Sequence, residues 1–525
     1  MHLNIVIVSY QVKERLRGCL ESLAALDAPN FDVTVVDNAS TDGSVPELAP
    51  LFPRVRFVSM DRNTGFGMAC NRGAEFASSP WILFLNPDTV VFPETLTTIM
   101  EFAASQSRAG IIGCRILDGE GNLQLACRRS IPTPTIAFWR LSGLSLLFPR
   151  HRIFARYNLS YLDPAKDVQV EAVSGSFLLI RTDVFRQLDG FDEDFFLYGE
   201  DLDLCLRTTR MGWEVWYCGQ ATIIHHKGRS AAARPLGARW DFYHAMVTFA
   251  VKNFGVGRVG RIVLEAAALA LTGLEFVAKQ YRDVRSWGVD LILANVLFFA
   301  ISSLYLYGVN LQSLFHTMPE VWLWNFVLSF WFLLGLGAVG MYRSQERAGQ
   351  RMLLGLGIAV SGFLATGFFL RGYAFSRVVF FLATLVVSAS IWLRTRWTSL
   401  SVKSPRRVLV VGLGEEATHL RRKLQQWPSL FHVVGCVAEL NEDLAVHGDA
   451  VGELPLGRVT SLEPMVRALE IDALVLPAGR VASILPTIRF RLPNGVGVLV
   501  EVVTEGGPPL LGDVTLDRST IAEPK

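Results

Sequence analysis

Three β-prone runs near the amino terminus each stop abruptly at polar side chains. Leu3-Asn-Ile-Val-Ile-Val-Ser9-Tyr10 ends in two hydroxyls, Val33-Thr-Val-Val-Asp37-Asn38 in an acid, and Trp81-Ile-Leu-Phe-Leu-Asn86-Pro-Asp88 in a Pro-flanked carboxylate. Ligands of an open α/β sheet bind at the carboxyl edge of its strands, so three such endings together describe one polar cleft. Any one of them alone equally suits a cap on the turn or helix that follows. Further along, Glu200, Asp201 and Asp203 fill the first turn of a helical pattern after the aromatic loop Phe195-Phe-Leu-Tyr198. The helix dipole favours acids there and accounts for one or two of them without any function. It does not account for their place behind an aromatic loop. Ile223-Ile-His225-His226-Lys-Gly-Arg-Ser230 then sets two histidines after a short strand. An isolated histidine is ordinarily structural, and Lys227 and Arg229 suit a diphosphate or plain solvent.

The elements needed to hold these groups are legible as βα units. Val12 to Leu26 carries Leu16, Cys19, Leu20 and Leu23 at helical spacing, and Val55–Ser59 reads as a third strand. It precedes Asn63-Thr-Gly65-Phe-Gly-Met-Ala-Cys-Asn71-Arg-Gly73, where glycines permit close backbone approach to a ligand and Asn63 and Asn71 can bond a base or ribose. Residues 170–181 read as another strand, and Leu202, Cys205 and Leu206 share one face of the acidic helix.

Taken in order, Val-Asp37-Asn-Ala-Ser-Thr-Asp-Gly-Ser, Asn63-Thr-Gly-Phe, Asn71-Arg-Gly and Leu-Asn86-Pro-Asp88 resemble the inverting family-two glycosyltransferases of GT-A fold, most closely the rhamnosyltransferase-like enzymes of bacterial surface polysaccharide assembly. The similarity covers roughly residues 2–235. It implies a nucleotide-sugar site at Ser9, Tyr10, Asp37, Asn63, Gly65, Asn71 and Asn86, with Asp88 coordinating a divalent metal on the diphosphate. A diphosphate leaving group gains charge as the sugar bond breaks, and a hard dication with oxygen ligands, Mg²⁺ or Mn²⁺, neutralises it. Asn86 stands where many relatives carry the first Asp of Asp-x-Asp, which leaves one charged ligand. Gly-Glu200-Asp201-x-Asp203 with the downstream Gly212-Trp213 is similar to the family's acceptor-side motif and implies Asp201 as general base. Glu200 would serve beside it in catalysis, and Asp192, Asp203 and Trp213 on the acceptor side. The His-x-x-Gly-x-Ser register resembles a segment whose histidine reaches the metal; counting back from Ser230 points to His225, with His226 as fallback.

Bulk properties frame the rest of the chain. A net charge of +2 over 525 residues calls for no nucleic-acid partner. The apolar fraction of 51% is concentrated in residues 287–394, between globular α/β regions at 1–240 and 405–525. Seven cysteines form no CxxC pair and no metal spacing, as expected of reduced thiols in the cytosol, and the opening strand leaves no room for a cleavable signal peptide. Residues 241–286 read as amphipathic or interfacial helices. The stretches 288–309, 321–341, 353–370 and 376–393 each approach the about 20 apolar residues that a span needs. Four transmembrane helices are therefore expected. Arginines in 342–351 and 394–407 put both globular parts on the cytoplasmic side of a bacterial inner membrane.

Arg406-Arg-Val-Leu-Val-Val-Gly412-Leu-Gly414-Glu-Glu-Ala417, followed by strands at 432–437 and 471–477, predicts a Rossmann-like domain. Residues 285–505 also look like the non-catalytic amino-terminal half of polyprenyl-phosphate sugar-phosphate transferases. The chain stops at Lys525, where that family's catalytic module should begin, so this half is expected to anchor, dock or sense. The whole reads as a membrane-anchored inverting glycosyltransferase that passes a sugar, such as rhamnose from dTDP-rhamnose, to a lipid-linked saccharide among polysaccharide-assembly proteins. The alternative is an inactive scaffold or nucleotide-sugar sensor; a scaffold would need neither Asp88 nor Asp201.

Overall fold

The computed structural model describes residues 2–26, 30–226, 235–280, 284–307, 319–340, 348–369, 377–400, 405–428, 430–439, 456, 462–477, 496–502 and 510–514. Lys227, Arg229 and Ser230, and residues 341–347 and 401–404 of the two arginine-bearing segments, lie outside these residues. The chain forms two compact units, Met1–Glu265 with Ser404–Lys525, and Ala266–Lys403.

In chain order the first unit opens with β1 (Leu3–Ser9), β2 (Phe31–Asp37), β3 (Val55–Ser59), β4 (Trp81–Leu85), β5 (Thr89–Val91), β6 (Ala109–Leu117), β7 (Arg128–Arg129), β8 (Val168–Val170), β9 (Ala172–Val173), β10 (Phe177–Arg181) and β11 (Glu214–His225). Among the described residues nine of these make one sheet, in the order β3-β2-β1-β4-β10-β6-β11-β5 with β8 on β11; β7 and β9 pair as a separate ribbon. β1, β2, β3 and β4 are parallel, β10 runs against β4 and β6, and β11 lies parallel to β6. Central strands β1, β4 and β6 are buried along their whole length, as continuous Val, Ile, Leu and Phe runs covered on both faces should be. This geometry brings Ser9, Asp37, Asn86 and His225 to one edge, where the start of β10 also lies opposite the end of β4 (Phe177 with Leu85).

The same unit contains a second sheet of β12 (Arg406–Val411), β13 (Phe431–Val437), β14 (Ala473–Leu476), β15 (Gly497–Val502) and β16 (Leu510–Val514), ordered β13-β12-β14-β15-β16 with only β16 antiparallel. Gly412, at φ +105°, turns the chain from β12 towards helix Glu415–Gln425. Phe92, just after β5, and Leu117 and Ile224 of the first sheet share one buried cluster with Leu409, Val411, Val434 and Leu474 of the second.

The unit Ala266–Lys403 is helical, and the four expected apolar stretches are helices Val284–Tyr307, Pro319–Ala338, Ala348–Phe369 and Arg377–Leu400. Among the described residues, however, no helix is long and apolar enough to cross a membrane. That finding corrects the expected four-helix transmembrane segment and the multi-pass inner-membrane placement built on it. A count of Phe, Leu and Trp passes over the polar groups set among them. Asp290 takes two hydrogen bonds from Arg394 (2.7 and 2.8 Å), Asn325 donates to Asn295 (2.6 Å), and Trp331 donates to Thr366 (2.8 Å). Gly335 and Gly355 let two helices touch, since a Cβ at Gly335 would lie 2.4 Å from the Gly355 carbonyl oxygen.

Candidate active site

The cleft begins at Ser9 and Asp37, register partners on β1 and β2. Asp37 Oδ2 accepts from the Ser40 N–H (3.0 Å), whereas Asp37 Oδ1 and Ser9 Oγ are buried without a partner. Each such atom costs about 1–3 kcal/mol, so two on paired residues at a strand edge mark a place that a ligand's polar atoms would fill. Tyr10 is exposed beside them. Asn38 fixes the neighbouring loop, donating to Asn63 Oδ1 (3.0 Å) and Gly65 O (2.9 Å) and accepting from Thr64 N (2.9 Å). At Gly65, φ is +90° and a Cβ would sit 2.4 Å from the Phe196 carbonyl oxygen. The Asn63 loop thus lies directly on the aromatic loop that leads to Glu200 and Asp201.

Asp88 meets His225. Its Oδ1 is 3.1 Å from His225 Nε2, which is also 3.2 Å from Asn86 Nδ2. Gln124 brackets this histidine: its Oε1 faces Nδ1 at 3.0 Å and its Nε2 donates to the His225 carbonyl (2.6 Å). With its Nδ1 proton bonded to Gln124, His225 presents the Nε2 lone pair beside the Asp88 carboxylate, one nitrogen and one oxygen placed to share a cation. The donor set suits one. Cis ligands about 2.1 Å from a magnesium-like ion stand about 3 Å apart. Among the described residues no three His, Cys, Asp or Glu side chains converge, so remaining positions would fall to diphosphate and water, as is usual for Mg²⁺. His226 follows the last residue of β11; its backbone N donates to the Asp88 carbonyl (2.8 Å), and a Cβ on Gly119 would approach its Nδ1 to 3.2 Å. Of the two histidines, it is His225 whose ring reaches Asp88.

Asp201, at the start of helix Glu200–Arg210, is buried. Its Oδ2 accepts from Arg129 Nη2 (2.6 Å) and Gly175 N (2.9 Å) and its Oδ1 from Leu202 N (2.7 Å). Burial works against the Arg129 guanidinium, but the Asp201 carboxylate beside it outweighs this and holds its proton more tightly than usual. Glu200 has an unpartnered buried Oε2; burial first, and then the Asp201 charge, push its carboxyl up to about 8. The two halves of the edge join at consecutive residues. Gly175 N bonds Asp201, and Ser176 O accepts from Asn86 N (3.1 Å).

Other expected site residues are engaged elsewhere. Both ends of the Asn71 amide hold the Phe191 backbone (2.9 and 2.8 Å) and so brace the loop rather than face a base. Asp192 pairs with Lys252, and Asp203 with Arg207 (2.6 Å). Trp213 precedes the first residue of β11 and lies against Gly110, at the sheet edge opposite His225. Arg129 and Gln124 were not foreseen. They sit 72 and 101 positions from the residues they hold, and no local pattern marks them.

A mixed α/β sheet with this cleft at its carboxyl edge is a GT-A domain, and residues 4–188 match the model of "Glycosyl transferase family 2". Over 245 residues the chain is 31% identical to N-acetylglucosaminyl-diphospho-decaprenol L-rhamnosyltransferase of Mycobacterium tuberculosis, an alignment that covers 44% of this chain and 78% of that one. It is 27% identical over 257 residues to rhamnosyltransferase WbbL of Escherichia coli (47% and 90% covered). Mannosyltransferase PcManGT from Pyrobaculum calidifontis, solved in complex with GDP-Man and Mn2+, aligns at 16% identity and TM-score 0.35, covering 52% of this chain and 75% of that one. The chain belongs to glycosyl transferase family 2, and it is a glycosyltransferase with rhamnosyltransferase relatives.

Proposed function

We propose that this protein transfers a sugar, with rhamnose from dTDP-rhamnose as the first donor to test, onto a lipid-linked saccharide with inversion at the anomeric carbon. The observation that carries the reading is the meeting of Asp88–His225 and Asp201–Arg129 at one sheet edge through Gly175 and Ser176. Ser9, Asp37 and the Asn63 loop suit the nucleotide. Asp88 and His225 would hold a Mg²⁺ or Mn²⁺, which when bound neutralises charge on the departing diphosphate. Asp201 would take the acceptor hydroxyl proton while that oxygen bonds to the anomeric carbon and the diphosphate leaves with the electron pair. Arg129 and Gly175 fix the orientation of the carboxylate. Ser130 and Glu171 continue the β7–β9 ribbon into a cavity of about 850 Å³ whose wall includes Ile136, Trp139, Arg152 and Arg156. Apolar walls with two guanidinium groups suit an isoprenoid diphosphate, and the relatives that share this family include one named for a decaprenyl-diphosphate sugar acceptor.

The test is a panel of nucleotide sugars incubated with lipid-diphosphate saccharides and Mn²⁺. Asp201→Asn should lower the turnover rate by about 10²–10⁴-fold while leaving Mn²⁺ binding in place. Full transfer by Asp201→Asn would remove Asp201 from the role of base. No transfer from any donor by the unaltered protein would favour a scaffold.

A further inference from the structure

β6 does not simply end at Leu117. Asp118-Gly-Glu-Gly-Asn122 turns the chain back, with Asp118 N donating to Asn122 O (2.8 Å), Leu117 bridging Leu123, and Gln124 N donating to Ile116 O (2.8 Å). Asp118 Oδ1 ties the turn by accepting from Glu120 N (2.8 Å) and Asn122 N (2.9 Å). The return strand of this hairpin is what lays Gln124 across His225.

The tip of the hairpin is gripped by the carboxyl-terminal domain. Arg407 Nη2 donates to Gly119 O (2.8 Å) and Nη1 to Glu120 Oε2 (2.6 Å), and His432 Nε2 is 3.1 Å from the same carboxylate oxygen. Arg407 is itself fixed, donating from Nε to Leu469 O (3.0 Å) and from its backbone N to Asp472 Oδ2 (2.7 Å). Gly121 lies so near β13 that a Cβ there would be 2.8 Å from Val434 O. Below the tip, Leu117 and Ile224 stand immediately before the hairpin and before His225, and both are buried with Val434 and Leu456. On its far side Asp88 borders a cavity of about 480 Å³ that is walled in part by Glu463, Arg467 and Glu470 of the same domain. The hairpin that carries Gln124, the residue before His225 and the cavity beside Asp88 are thus all backed by residues from beyond position 404.

We propose that the carboxyl-terminal domain is a positioning element for the cation site, with Arg407 holding the hairpin that aims Gln124 at His225. The inference rests on the reading that Asp88 and His225 receive a divalent ion. A polar partner on the second nitrogen of a metal-binding imidazole fixes its tautomer and ring angle, and losing such a partner typically costs about 10–100-fold in metal affinity. Arg407 acts one contact further out, so its effect should fall at the lower end of that range.

The measurement is Mn²⁺ binding to the full-length protein, read from the electron paramagnetic resonance signal of the free ion, alongside transfer kinetics. Gln124→Leu should weaken binding about 10–100-fold, and Arg407→Ala about tenfold. Arg407→Lys, which keeps the charge but lacks a fork to reach Gly119 O and Glu120 together, should fall between Arg407→Ala and the unaltered protein. The Gln124→Leu/Arg407→Ala double variant should bind no more weakly than Gln124→Leu alone, because both changes remove the same constraint. Multiplying effects in the double variant, or an unchanged Mn²⁺ affinity in folded Arg407→Ala, would overturn the proposal. If Arg407→Ala fails to fold, the lysine variant carries the same comparison. Absence of Mn²⁺ binding in the unaltered protein would instead sink the metal reading, and the inference with it.

Discussion

Adjacent acids at the head of helix Glu200–Arg210 have different surroundings. Asp201 accepts hydrogen bonds from a guanidinium and two backbone N–H groups. Glu200 has burial and the negative charge of Asp201 against it, and keeps its proton up to about 8. Because the folded value lies above the ordinary 4.5, the unfolded chain gives up this proton first as pH rises. Stability present below about 4.5 is therefore lost progressively until about 8. Glu200→Gln has no proton to lose, so its melting temperature should match the unaltered protein near pH 4.5 and exceed it increasingly towards pH 8, with a flat difference counting against the assignment. Asp88 and Asp201 could be singled out as candidates from sequence because each follows a distinctive local pattern. Arg129 and Gln124 could not, since a side chain that serves a residue 72 or 101 positions away leaves no periodic trace. Trp213 is the opposite case. It is near the acidic helix in sequence, but the twelve residues of β11 then cross the whole sheet before reaching His225.

At the level of elements, the strand runs of the first domain were legible because buried parallel strands read as unbroken apolar stretches ending in polar residues. The same cue misled in residues 287–394, where apolar runs are helices that pair buried polar groups such as Asp290 with Arg394. Between the Asp37 and Asp201 ends of the cleft the linking element is the Asn63–Gly65 loop. Asn38 ties it to the end of β2, and Phe66 N donates to Phe196 O (2.9 Å), so one loop spans the strand edge and the aromatic segment. Gly65→Ala would place a methyl 2.4 Å from that same carbonyl at a φ of +90°. A backbone clash in a left-handed conformation costs on the order of 1–3 kcal/mol. The expected outcome is a lower melting temperature and a raised KM for the donor, with kcat less affected because Asp201 and Arg129 are held from the other side. A purely thermal effect with unchanged KM would show that the loop does not face the nucleotide.

For the first unit as a whole, the physical question is whether its two sheets behave as one body. They are separated by the entire helical segment in sequence, yet Leu117 and Ile224 of one share a buried apolar cluster with Leu409, Val434 and Leu474 of the other. Burying such a joint removes the water-exposed faces that would let either sheet open alone. Amides of β6 and β11 should therefore exchange with solvent hydrogen through the same opening as those of β12 and β14. Gly121 is a point where a single residue can force the joint apart. Gly121 sits at φ +79° with Val434 O 2.8 Å from the position of a Cβ, and a β-branched side chain fits neither the dihedral nor the gap. Gly121→Val should thus uncouple the sheets: exchange in β12 and β14 should accelerate by about tenfold or more, the equivalent of about 1.4 kcal/mol, while β1 and β4 keep their protection. Hydrogen exchange followed by mass spectrometry on peptides from both sheets measures this directly. Equal protection of the two sheets in the valine variant would mean that the hairpin tip merely touches the second domain, and the coupling between that domain and His225 would have to run through the apolar cluster alone.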